Sequence, residues 1–258
     1  MLLAIDIGNT NVVLGLYEGD QLVADWRIVT PKDWTADEVA VLLQHLFGLR
    51  RLDLSAVTGA VVASVVPSLN VPLQEAAMRH LGVTPLVLGP GVKTGVRIRY
   101  GGNPEDVGAD RIANALAAFR RYGGPAIVID FGTAVTYDAI SAEGDYLGGA
   151  IAPGVQVSLE ALVAHTARLP RVEPVAPDTV IGRTTVAAIQ SGLLWGFVGQ
   201  VEGMVSRMSA ELGGTVRVVA TGGQADLVAG LTGAIQVVDP LLTLEGLRLV
   251  HAQNADGR

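Results

Sequence analysis

The stretch Ala126-Ile127-Val128-Ile129-Asp130-Phe131-Gly132-Thr133 decides the fold, because its pattern already stands near the start of the chain as Ile5-Asp6-Ile7-Gly8-Asn9-Thr10. Each copy is an apolar strand that ends in Asp-x-Gly. After the first, β-rich runs at Val12 to Tyr17 and Leu22 to Ile28 are joined by the tight turn Glu18-Gly19-Asp20. After the second come Val135 to Ile140, the turn Glu143-Gly144-Asp145, and a strand leading to Ile151. Asp6 and Asp130 are 124 positions apart, and Gly19 and Gly144 are 125 apart, close to half of the 258-residue chain. Chance supplies one such match; the same order of strand, Asp-x-Gly, strand, Glu-Gly-Asp and strand twice over is an internal duplication. It predicts two α/β halves, residues 1–120 and 121–258, each opening with a three-stranded antiparallel unit and continuing with helix and strand.

Outward from these copies, Thr35-Ala36-Asp37-Glu38 has the form of a capping box and starts a helix whose apolar face includes Val39, Leu42, Leu43 and Leu46. Val57 to Val62 reads as a buried strand and Ser68 to Leu81 as a helix. In the second half, Val157 to Ala164 is helical, 169–177 is a proline-punctuated loop, and a long helix runs from Thr185 to about Leu212. Val216 to Ala220 is a strand, Thr221-Gly222-Gly223 a turn, and Leu241 to His251 a closing helix.

Composition narrows the function classes. The chain is 50% apolar and only 17% charged, which excludes a disordered chain. It carries 18 basic against 25 acidic residues, a net charge of −7 that offers nucleic acid no general attraction. With no cysteine, thiol nucleophiles, thiolate metal sites and disulfides are out. The N-terminus has no basic leader, and the apolar run around Val57 to Val66 is half of what a bilayer span needs. A soluble, cytoplasmic protein without membrane or nucleic-acid partners is the expectation.

The two Asp-x-Gly turns are the strongest candidates for chemistry. Glycine permits close approach, so backbone N–H groups and a hydroxyl at Gly8-Asn9-Thr10 can converge on an anion. Asp6 at the strand's end can hold a balancing cation. The alternative for either turn alone is ordinary hairpin chemistry. Two copies facing each other make a cleft suited to a nucleotide's phosphates and Mg²⁺.

The segment from Asn103 to Tyr122 reads as one helix with Asn103 as N-cap and Pro104 in the first turn. Ala109, Ile112, Ala113, Leu116 and Phe119 form its core face, and Asp106, Asp110 and Asn114 a polar stripe. Gly108 sits inside it, a costly place unless something approaches there; a solvated helix face is the competing reading. Gly148 to Gly154 and Thr221-Gly222-Gly223 read as glycine-rich turns at strand ends, facing phosphate or purely structural. Thr184 or Thr185 caps the long helix.

Taken together these motifs resemble the type III pantothenate kinases of the acetate kinase, sugar kinase, Hsp70 and actin superfamily. The resemblance spans the whole chain in the family's order: Asp6 to Asn11, Asn103-Pro104 with Gly108-Ala109-Asp110-Arg111, Asp130-Phe131-Gly132-Thr133-Ala134, Gly149 to Gly154, Ile181-Gly182-Arg183 with Thr185, and Thr221-Gly222-Gly223. It implies a duplicated ribonuclease H-like (actin-like ATPase) fold with an interdomain ATP cleft. It also implies that ATP is held by Asp6, Ile7, Gly8, Asn9, Thr10, Asn11, Val12, Val13 and Thr133, with Mg²⁺ at Asp6. A monovalent cation, K⁺ or NH₄⁺, would sit at Asp130. Pantothenate would be bound by Tyr100, Gly108, Ala109, Asp110, Arg111 and Thr185, with Asp110 as general base. Arg183 stands where lysine is common in relatives, keeping charge but not geometry. The implied assembly is a homodimer, and the helix carrying Trp195, Phe197, Val198, Val201, Met204 and Val205 is apolar enough to serve the contact. Two rivals share the turns. A sugar kinase or polyphosphate phosphatase leaves Gly108 to Arg111 without a reason, and a non-catalytic nucleotide-binding regulator should have lost Asp6 or Asp110.

Overall fold

The computed structural model describes residues 1–255; residues 256–258, the end of the second predicted half, lie outside the described residues. By contacts the chain divides into two units. The first holds Met1–Arg97, Gly102–Ala117 and the chain from Leu242 on, and the second holds Ile98–Gly101 and Ala118–Leu241.

In the first unit, β1 (Leu2–Ile7), β2 (Asn11–Glu18), β3 (Gln21–Val29), β4 (Gly59–Ser64) and β5 (Leu86–Val87) form a five-stranded sheet in the order β3-β2-β1-β4-β5. β1 is antiparallel to β2 and parallel to β4. Leu3, Ile5 and Ile7 enter the main core while Ala4, on the opposite face, is also fully buried. A strand covered on both faces reads as a continuous apolar run, which is why alternation is weak here. β3, at the edge, alternates instead, with Ala24 and Trp26 inward and Asp25 and Arg27 exposed. α1 (Ala36–Leu49) starts at the predicted capping box: the Thr35 backbone N–H donates to Glu38 Oε2 at 2.8 Å, and the Glu38 N–H donates to Thr35 Oγ1 at 3.2 Å. Its Phe47 ring stacks on Trp26, centroids 5.2 Å apart, fastening helix to sheet.

The second unit repeats the plan. β6 (Ala126–Phe131), β7 (Ala134–Ile140), β8 (Tyr146–Pro153), β9 (Arg217–Thr221) and β10 (Val237–Val238) are ordered β10-β9-β6-β7-β8. Read from the hairpin side, this is the order of the first sheet, again with two antiparallel pairings followed by two parallel ones. Even the irregularities correspond, since each hairpin carries a register shift shortly after its Glu-Gly-Asp turn. The duplication is therefore a property of the fold.

α4 (Val155–Ala164) and α5 (Thr185–Leu212) follow β8, and α6 (Ala225–Ala229) lies between β9 and β10. On α5, Phe197, Val198 and Val201 are buried and Trp195, Met204 and Val205 pack against the same core. Of the six apolar side chains the sequence offers to a subunit contact, three are thus buried inside this unit and three partly so.

Several expectations change. The stretch predicted as one helix from Ser68 consists of a 3₁₀ turn at Pro67–Leu69, α2 (Asn70–Ala76) and a π-type turn at Ala77–Leu81. Asn103 caps only the 3₁₀ turn Pro104–Asp106; α3 begins anew at Ala109 and runs to Tyr122. Asp106 is thus off the helix and the polar stripe dissolves. Its third member, Asn114, is fully buried and accepts a 2.8 Å hydrogen bond from Thr243 Oγ1 of α7 (Leu242–Ala255). α7 packs on β1 and β4, so the predicted closing helix of the second half belongs by contact to the first unit. Its apolar side chains cover the face on which Ala4 is buried.

Candidate functional site

The loop between β1 and β2 is the first functional segment. Asp6, partly buried, is the penultimate residue of β1 and pairs with Val13, and the next pair, Ile7 and Val12, faces the core. Their part in any ligand contact is left to backbone. Gly8, Asn9, Thr10 and Asn11 make the turn itself: the Gly8 N–H donates to Asn11 O at 3.0 Å, and Thr30 ties the turn down through Oγ1 to Gly8 O at 2.6 Å. Asn9 and Thr10 are exposed. β1 and β4 run parallel, so this loop lies at their carboxyl ends, the side on which open α/β sheets bind ligands.

In the second unit the equivalent turn follows Asp130, with Gly132 N–H donating to Ala134 O at 3.0 Å and both Gly132 and Thr133 exposed. The Thr133 carbonyl accepts from Gly154 N–H at 2.9 Å, at the start of α4. β9 delivers Gly222 against the same place. Its φ is +91°, and a Cβ there would lie 2.5 Å from Asp130 Oδ1 and 2.6 Å from Phe131 N and O. Only glycine allows that approach. Gly222 is thus pressed against Asp130, and Gly154 against the carbonyls of Gly132 and Thr133; the Asp130 carboxylate is the charged donor at this turn that could hold a cation. Among the described residues no three His, Cys, Asp or Glu side chains gather as a metal cluster. A divalent ion carried by nucleotide phosphates needs only one or two carboxylates, and Asp6 fits that demand.

Gly108, Ala109, Asp110 and Arg111 surround the N-terminus of α3, and all four are partly buried. Asp110 is the second helical residue, not one deep in a helix, and its Oδ1 accepts from the Arg111 N–H at 2.9 Å. Gly108 precedes the helix and lies directly beneath the Asp110 carboxylate, where a Cβ would strike Oδ1. Burial pushes the Asp110 pKa above its ordinary value; the Arg111 N–H bond and positive charge oppose this without cancelling it. A carboxylate at a helix start with a raised pKa is a better proton acceptor than one in water. The 14-residue helix also presents its positive end here.

Tyr100 and Thr185 belong to the second unit, whereas Gly108 to Arg111 belong to the first. Thr184, not Thr185, caps α5, its Oγ1 accepting from Ala187 N–H at 3.1 Å; Thr185 is the first helical residue and is exposed. Tyr100 is 42% exposed on the short segment Ile98–Gly101, beside Gly148. Gly148 to Pro153 are not a turn but the body of β8, with Gly154 at its end. Arg99 carried no signal in the sequence and Asp145 stood there only as the end of the Glu143-Gly144-Asp145 turn, yet the two form a 2.6 Å ion pair next to Tyr100. Nor did any signal mark Asp239, which accepts from Arg121 and from Tyr122 Oη, both at 2.7 Å. Together with burial, Asp239 lifts the Tyr122 pKa to about 12.

Comparison with known proteins gives this arrangement a context. A family profile described as type III pantothenate kinase matches residues 2–207. A type III pantothenate kinase of Moorella thermoacetica is 55% identical over 98% of this chain and 100% of its own length. One from Myxococcus xanthus is 52% identical over 98% and 99%. Among solved structures, a putative Baf family transcriptional activator from Campylobacter jejuni superposes with a TM-score of 0.62 at 20% identity, covering 98% of this chain and 99% of that one. An ADPNP-bound activator of 2-hydroxyisocaproyl-CoA dehydratase from Clostridium difficile does so with a TM-score of 0.54 at 12% identity, covering 100% and 98%. At such identities the structures speak for the fold alone, two α/β halves of the actin-like ATPase kind.

Proposed function

The chain belongs to the type III pantothenate kinase family, and from that premise we propose how its residues phosphorylate pantothenate with ATP. The enzyme is a kinase that converts pantothenate to 4′-phosphopantothenate, the first step of coenzyme A biosynthesis. The observation that carries this is the identity over essentially the full length of both chains; Gly108 to Arg111 stand at the start of α3. Neither rival accounts for both.

In this reading the backbone of Asp6 to Val13 and the hydroxyl of Thr133 bind the phosphates of ATP, and Asp6 faces the Mg²⁺ that travels with them. Asp130 would hold K⁺ or NH₄⁺. The two cations supply charge stabilisation when bound. Tyr100, Gly108, Ala109, Arg111 and Thr185 bind pantothenate, and the Arg111 guanidinium suits its carboxylate. Asp110 accepts the proton of the primary hydroxyl as that oxygen attacks the γ-phosphorus; the P–O bond to ADP breaks as the new one forms. The positive end of α3 favours the ionised carboxylate, while burial keeps it basic. The reading includes a cytoplasmic enzyme and a homodimer whose contact uses surfaces other than the buried face of α5. Among the described residues no helix is long and apolar enough to cross a membrane.

A panel of acceptors incubated with Mg-ATP and K⁺ tests the assignment. Pantothenate should be consumed with one ADP formed per phosphopantothenate. Turnover of a sugar with pantothenate inert would overturn it.

A further inference from the structure

We propose that Arg99 and Asp145 are positioning residues that set pantothenate affinity by fixing the segment that carries Tyr100 beside Gly148; this rests on the reading in which Tyr100 touches pantothenate. The segment Ile98–Gly101 is only four residues long, yet it is fastened to the second unit. Ile98 bridges Tyr146, and the Arg99 N–H donates to Tyr146 O at 2.8 Å. Arg99 Nε then donates to Asp145 Oδ2 at 2.6 Å.

That ion pair is lopsided: the Arg99 side chain is 58% exposed and that of Asp145 only 7%. Asp145 is also held by its own turn, with the Ser141 N–H donating to Asp145 O at 2.9 Å and the Asp145 N–H donating to Ser141 Oγ at 3.2 Å. A buried carboxylate depends on its polar partners, and Arg99 is one of those that hold Asp145. The duplicated turn supplies the contrast. Asp20, the counterpart of Asp145 in Glu18-Gly19-Asp20, is exposed. The turn chemistry therefore does not demand a buried aspartate; the second copy buries one where Arg99 reaches it.

The ring stands beside an irregular stretch of β8. After Ile140↔Tyr146 the register shifts, so that Ala139 pairs with Gly148 and Leu147 is the extra residue. Bulges of this kind re-aim side chains beside functional sites. Gly148 has a φ of +111°, and a Cβ there would meet Tyr100 Cδ2 at 3.6 Å and Cε2 at 3.9 Å. The ring thus stands beside Gly148 with room for a Cβ between them, and Tyr100 is 42% exposed, unlike a packed core aromatic. Clamping Arg99 fixes the main chain one residue before it.

The test is steady-state kinetics on Arg99→Gln, Asp145→Asn, the double variant and Tyr100→Ala in the full-length enzyme, with pantothenate and ATP varied separately. Both single variants should raise the pantothenate KM about tenfold, the scale expected when a binding group is misplaced, while kcat and the ATP KM stay within about twofold. The double variant should be no worse than the worse single one, because both changes release the same clamp. Arg99→Gln alters the exposed partner, so it carries the test if Asp145→Asn folds poorly. An unchanged pantothenate KM in Arg99→Gln, with Tyr100→Ala raising it, overturns the proposal. A loss of thermal stability with kcat and both KM values affected alike also overturns it, as that is what a structural pair would do. If Tyr100→Ala leaves the pantothenate KM unchanged, the premise about Tyr100 fails and the proposal with it.

Discussion

Asp110→Asn is the sharpest test of the mechanism, since the structure separates its effect on chemistry from its effect on folding. The amide oxygen of the introduced asparagine can still accept from the Arg111 N–H, so the 2.9 Å bond that starts α3 has a substitute. Removing a negative charge from a helix N-terminus costs about 0.3–1 kcal/mol. Against this, the folded-state pKa of Asp110 is raised above its ordinary value, so above that pKa the ionised group disfavours the folded state and its neutral replacement removes that penalty. The two effects have opposite signs, and the melting temperature should barely move. Catalysis should fall much further, because the amide cannot accept a proton: about 10²–10⁴-fold in kcat, or roughly 3–5 kcal/mol of barrier. In the parent, kcat/KM should rise with pH through a pKa above that of an ordinary aspartate, and the variant should lack this acid limb. ADP release measured with both substrates saturating, with a quenched single turnover to establish that chemistry limits the rate, reads the effect. A kcat within a few-fold of the parent under those conditions would refute Asp110 as the base while leaving the kinase assignment standing.

Activity should be low in Na⁺ buffer and rise on adding K⁺ or NH₄⁺, and Asp130→Ala should abolish that response; a variant with full activity and unchanged K⁺ dependence would remove the cation from Asp130. Gly222→Ala forces a Cβ at φ +91° into Asp130 and the Phe131 backbone, which should cost about 2–5 kcal/mol in urea unfolding and weaken any K⁺ response that survives. Asn114→Ala deletes the buried partner of the Thr243 hydroxyl and should cost about 1–3 kcal/mol, whereas a solvated helix residue would cost almost nothing.

Much of the architecture was legible because it is written in short-range chemistry. Asp-x-Gly after an apolar strand and Glu-Gly-Asp between β-rich runs are local signals, and their recurrence at spacings of 124 and 125 revealed two copies that the sheets reproduce strand for strand. The Thr35 capping box and the bounds of α5, Thr185–Leu212, were equally local. The site motifs could be found by position, but their surroundings could not. An Asn-Pro start looks the same before a 3₁₀ turn as before a long helix, so the break ahead of Ala109, which puts Asp110 at a helix N-terminus, escaped detection. Two-residue strands such as β5 and β10 have no pattern of their own and exist only through pairing with β4 and β9. The docking of α7 on the first sheet, the approach of Gly222 to Asp130, and the reach of Arg99 to Asp145 join residues far apart along the chain. Hydrophobic period and turn residues determine which segments form helices, strands and hairpins. Which carboxylate is buried, which carbonyls crowd it and which glycine must stay bare depend on packing between distant segments, and only the folded chain decides them.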